Sequence, residues 1–64
     1  MVKVNGEYID AAGKSILEYL SNSSYDLKRI AVELCGEIVP KSLYEKTIIS
    51  DGDVLEIVSF VGGG

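Results

Sequence analysis

Val2-Lys3-Val4-Asn5-Gly6-Glu7-Tyr8-Ile9 is the stretch whose reading decides the fold. Val2 to Asn5 alternates apolar and polar, the period of a strand with one buried face. Asn5-Gly6 is the commonest dipeptide of a tight two-residue hairpin, because both residues accept positive φ. Glu7-Tyr8-Ile9 then returns as a second strand.

Beyond the hairpin, Gly13 and Lys14 lead into Ser15-Ile16-Leu17-Glu18. This is a capping-box spacing, with Ser15 as the cap and Glu18 reaching back from three residues on. Ile16, Leu17 and Leu20 share one helical face, and Leu17 is expected in the core. The helix should stop before Asn22-Ser23-Ser24, whose side chains compete for backbone hydrogen bonds. Ile30 to Leu34 reads as the third strand. Cys35-Gly36 turns into Glu37-Ile38-Val39, a short fourth strand closed by Pro40, which cannot donate to a ladder. Ser42-Leu43-Tyr44-Glu45 repeats the capping-box spacing in a segment too short for more than one helical turn. Asp51-Gly52-Asp53 forms the next turn, and Val54 to Val61 is the last strand.

Strand, strand, helix, strand, strand, strand in so short a chain predicts one mixed sheet of about five strands folded around one helix. The first and last strands can then pair in parallel at the centre, with the helix as crossover. The expected class is α+β, the β-grasp architecture of ubiquitin-like proteins. The domain should cover residues 1–61, with 62–64 as a flexible glycine tail.

Composition narrows the function. A chain of 64 residues buries only about 60% of its unfolded surface, so a deep catalytic cleft is not expected. Without histidine, Ser-His and Cys-His nucleophilic pairs and histidine metal sites are excluded. The single cysteine, Cys35, forms neither an internal disulfide nor a thiolate metal cluster, and fits a reducing, cytoplasmic compartment. Asp51 and Asp53 bracket a glycine in a turn, where carboxylates are solvated rather than catalytic. A net charge of −4 speaks against nucleic-acid binding and suits a basic protein surface. No apolar run approaches the roughly 20 residues of a membrane span, and no secretory signal is present. The chain is therefore expected not to be an enzyme.

Gly62-Gly63-Gly64 follows the last strand. Three glycines add no core and cost much entropy to hold still. Their use would be a tip thin enough to enter a narrow channel and present the Gly64 carboxylate there.

Gly36-Glu37-Ile38-Val39-Pro40-Lys41-Ser42, then Asp51 to Val58, then Val61-Gly62-Gly63-Gly64 resemble the ThiS family, the sulfur carriers of thiamin biosynthesis; Ala11-Ala12-Gly13 before the helix is also similar. The likeness covers nearly the whole chain. It departs at Cys35, where family members often carry asparagine, which suits a tight turn better. The resemblance implies that Gly64 is adenylated and converted to a thiocarboxylate that gives its sulfur to thiazole formation. The implied partners are an E1-like adenylating enzyme of the ThiF type, a thiazole synthase of the ThiG type and a sulfur donor. No cofactor is bound by the chain itself; ATP is used by the activating partner. Two other readings stay open: the small subunit of molybdopterin synthase or another sulfur carrier, and a ubiquitin-like modifier joined through Gly64 to lysine amines.

The last strand suggests where partners dock. If Leu55 and Ile57 face the helix, Val58 and Phe60 lie on the outer sheet face beside the tail, an exposed apolar pair suited to contact. Tyr8, Tyr19, Tyr25 and Tyr44 are read as packing residues, since no basic patch accompanies them.

Overall fold

The computed structural model describes residues 1–60. Its centre is the parallel pairing of β1 (Val2–Val4) with β5 (Val54–Ser59), in which Lys3 lies opposite Val54 and Val4 opposite Leu55. β1 turns back antiparallel into β2 (Glu7–Ile9), with Val2 opposite Ile9. On the other side β5 pairs antiparallel with β3 (Ile30–Leu34), and β3 with β4 (Glu37–Val39). The sheet order is β2-β1-β5-β3-β4. This is the expected mixed five-stranded sheet, with α1 (Ile16–Ser21) in the crossover from β1–β2 to β3.

The core is built from the inward positions of the three central strands and one face of α1. Val2, Val4, Ile30, Val32, Leu55 and Ile57 are buried from the sheet; Ile16 and Leu20 are buried from the helix. Ala11, Tyr44 and Ile49 complete it. Leu17 packs on the rim of this cluster and is only half-buried, unlike the expectation for it. Its place on the helix turns it toward the loop at Tyr44, whose carbonyl accepts from its own N–H at 2.9 Å.

Local chemistry explains the ends of α1. Ser15 Oγ accepts from Glu18 N at 3.0 Å, fixing the first turn. Among the described residues the Glu18 carboxylate makes no return bond to Ser15, whose backbone is drawn into a bridge with Ile48. At the other end Asn22 Nδ2 donates to the Glu18 carbonyl at 3.1 Å and Ser23 Oγ to the Leu20 carbonyl at 2.6 Å, taking acceptors a further turn would need.

Three local expectations are corrected. Ser42 is not a cap: Lys41–Leu43 forms one 3-10 turn starting from Pro40, with no side-chain cap. Pro40 takes the start because its fixed φ suits a helix entrance and it has no N–H to leave orphaned. Tyr8 is exposed rather than packed, since it stands on edge strand β2 on the outer face beside Lys3. The last strand ends at Ser59, although Phe60 N still donates to the Arg29 carbonyl at 2.9 Å. Val61 lies outside the described residues. No described helix is long and apolar enough to cross a membrane.

Candidate functional site

Strand β5 alternates strictly. Leu55 and Ile57 are buried, while Val54, Glu56 and Val58 face outward. Val58 is 55% exposed and faces outward from β5 by the alternation, as the sequence predicts; Phe60, one residue past the end of the strand, is 49% exposed. Val58 lies opposite Ala31 of β3, also exposed, which adds a small apolar neighbour. Gly62, Gly63 and Gly64 follow in the sequence and lie outside the described residues, so expectations for them are not addressed by the geometry.

Two groups that sequence reasoning passed over hold this end of β5. Asn5, read only as a turn residue, extends the parallel pairing with its side chain. Its Oδ1 accepts from Ile57 N at 2.7 Å and its Nδ2 donates to the Ile57 carbonyl at 3.1 Å. The carboxamide thus does for β5 what a further residue of β1 would do. Nδ2 also lies 3.2 Å from the Tyr25 hydroxyl, linking the hairpin to the loop after α1. The second group is the segment Asp26 to Arg29. Asp26 Oδ1 accepts from Lys28 N at 3.0 Å and caps a 3-10 turn, Leu27–Arg29, that feeds β3. An aspartate one residue before a three-residue helical turn was the available signal. An open recess of about 420 Å³ lies beside Phe60, lined by Tyr25, Asp26, Arg29, Ile30 and Ser59 among others.

At the opposite end of the sheet, two turns meet. Cys35 and Gly36 have φ of +50° and +87°, matching Asn5 and Gly6 at +49° and +86°. The cysteine therefore occupies the left-handed position that asparagine fills with less strain, and the tight turn is kept. Cys35 N donates to the Val54 carbonyl at 2.7 Å, and Sγ lies 3.6 Å from Asp53 Oδ1. Asp53 Oδ2 accepts from Ser50 N at 2.8 Å. This aspartate is a turn brace, and Asp51 pairs with the amino group of Met1, whose hydrogen bond, and then its charge, hold the Asp51 carboxyl below its ordinary range. Asp51 is exposed and Asp53 half-buried, each bonded within or beside its own turn, in keeping with their reading as turn residues.

The sheet order, the parallel centre and a helix on one face define a small β-grasp domain of the ubiquitin-like class, with its outer face open. Comparison narrows the class. The chain belongs to the ThiS family, whose family model matches residues 2–64. It is 37% identical over 68 aligned positions to the sulfur carrier protein ThiS of Bacillus subtilis, covering all of both chains. It is 44% identical over 62 residues to a thiazole synthase of Paramagnetospirillum magneticum; the match takes in 95% of this chain but 19% of that protein, so the chain spans about a fifth of that relative's length. The crystal structure of a thiamine biosynthesis protein (ThiS) from Geobacter metallireducens superposes with a TM-score of 0.80 at 33% identity, covering 98% of this chain and 97% of that one.

Proposed function

We propose that this chain carries sulfur for thiamin biosynthesis as a thiocarboxylate on Gly64. That the chain is a sulfur carrier of this pathway follows from its family. The chemistry at Gly64 is our reading of the tail. The observation that carries it is β5: a strand held on both sides that exposes Val58 and is followed by an exposed Phe60, then in the sequence by Val61 and three glycines. A rigid grip next to a side-chain-free tip suits a protein whose partners hold the domain and work on its end.

A carboxylate oxygen is a poor leaving group, so sulfur cannot displace it directly. In the E1-like adenylating enzyme the Gly64 carboxylate would attack the α-phosphorus of ATP, expelling pyrophosphate and forming an acyl-adenylate. The terminal sulfur of a persulfide then attacks the carbonyl carbon and AMP leaves. Thiol cleavage of the acyl disulfide leaves the thiocarboxylate, which thiazole synthase consumes. ATP belongs to the activating partner, and the chain itself holds no cofactor and acts as co-substrate rather than enzyme. The thiazole synthase relative, with a stretch similar to this chain in its own sequence, supports that enzyme as acceptor. A cytoplasmic setting fits the exposed free thiol of Cys35.

Intact mass spectrometry tests this reading. After incubation with the adenylating enzyme, ATP and a sulfur donor, the protein gains the mass difference between sulfur and oxygen, located at Gly64. It loses that difference when thiazole synthase and its substrates are added. Deleting Gly64 withdraws the reacting carbon by about 3.3–3.6 Å and abolishes the gain. Conjugates of Gly64 with lysine amines would make the chain a modifier instead, and sulfur loss only to a molybdopterin synthase would change the acceptor.

A further inference from the structure

The outer sheet face carries a feature that an apolar grip by Val58 and Phe60 does not use. The register sets Glu33 of β3 directly opposite Glu56 of β5, and places Ile38 of β4 on the other side of Glu33. Both carboxylates point outward, because the residues flanking them, Val32, Leu55 and Ile57, are buried. Like charges directly opposite one another across antiparallel strands destabilise the pair. Among the described residues no ion pair relieves them; the two present join Met1 to Asp51 and Arg29 to Asp26. Lys3 shares this face, but its ammonium sits 5.8 Å from the ring centroid of Tyr8, toward the far edge of the sheet. Exposed Val54, Val58 and Ile38 surround the two carboxylates. The result is an anionic spot set in an apolar frame, at a cost to the free domain.

That arrangement has a chemical complement. An apolar frame excludes water when covered, and charges interact more strongly as the surrounding dielectric falls. Two adjacent carboxylates offer several acceptors, which a planar guanidinium can meet along two edges and an ammonium cannot. We propose that this face docks a protein surface that brings one arginine, framed by apolar side chains, onto Glu33 and Glu56. The proposal rests on the carrier reading above and adds to it the chemistry of the surface that receives the carrier. Polyanions would be repelled from the same face.

The test compares three proteins: wild type, Glu33→Gln/Glu56→Gln, and Glu18→Gln/Glu45→Gln on the helix side. Each double variant removes two carboxylates, taking the net charge from −4 to −2. Affinity is measured for the source organism's adenylating enzyme and its thiazole synthase, at low and high salt, alongside a thermal melt. The outer-face variant should bind at least one partner about tenfold or more weakly, with a flatter salt dependence, while its melting temperature holds or rises. The helix-side variant should bind nearly as wild type. Unchanged affinity of the outer-face variant for both partners overturns the proposal. So does an equal loss in the helix-side variant, or a lowered melting temperature in the outer-face one. A wild-type protein that binds neither partner removes the carrier reading as well, and is told apart by that result alone.

Discussion

Asn5 and Cys35 adopt the same backbone conformation with different chemistry, and this makes them a matched pair. Each is the first residue of a left-handed Xaa-Gly turn. Asparagine visits that region with less strain than other branched or bulky residues, while for an ordinary L residue it costs roughly 1–2 kcal/mol. Asn5 gains in addition the two hydrogen bonds to Ile57. Cys35 gains only a weak sulfur contact with Asp53. We expect opposite responses in urea unfolding. Asn5→Ala should lower stability by about 2–3 kcal/mol, the sum of strain and a lost, partly buried bond. Cys35→Asn should raise it by up to about 1 kcal/mol. If both variants shift the midpoint in the same direction, the strain argument is wrong.

At the scale of elements, the strands and the start of α1 were legible because their signals are local. Alternation over Val2–Val4 and Val54–Ser59, Asn-Gly and Cys-Gly turns, and a serine cap are all read within a few residues. The segment Thr47 to Ile49 was not legible. It is held by non-local bonds, Ile16 N to the Thr47 carbonyl at 2.9 Å and Ile49 N to the Lys14 carbonyl at 2.8 Å, which bury Ile49 completely. No periodicity in two isoleucines announces such a ladder. The helix face was read correctly in direction but not in depth: Leu20 points into the core and Leu17 along its rim. Leu20→Ala should therefore cost about 3 kcal/mol and Leu17→Ala roughly 1 kcal/mol. In a domain this small each kcal/mol moves the midpoint by about 4–8 °C, so differential scanning calorimetry separates the two. Equal shifts would mean that the helix sits rotated from the position described.

For the whole molecule, the question is how a domain with so small a core leaves so much apolar surface open. The core takes one face of the sheet, covered by α1 together with Ala11, Tyr44 and Ile49, and among the described residues no element packs over the other face. That face was legible from alternation alone, given which side of β5 meets the helix. The identity of what binds it was not, because specificity lies in surface pairs such as Glu33 and Glu56 that are set by register between strands distant in sequence. Neighbouring residues of one strand should consequently have opposite fates. Ile57→Asn places a polar group in the core and should unfold the domain at ambient temperature, since an unsatisfied buried amide adds its desolvation cost to the lost packing. Val58→Asn and Phe60→Asn alter side chains that are about half exposed and outside the core cluster, and add no charge, so their melts should shift far less than that of Ile57→Asn. A surface anchor contributes to association rather than folding. In pyrophosphate exchange catalysed by the adenylating enzyme, these two variants should raise KM for the carrier about tenfold with kcat little changed, the pattern of a lost uniform binding contact. A fall in kcat at constant KM would place Val58 and Phe60 in the chemistry of the tail rather than in docking, and a melting temperature lowered as far as by Ile57→Asn would return them to the core.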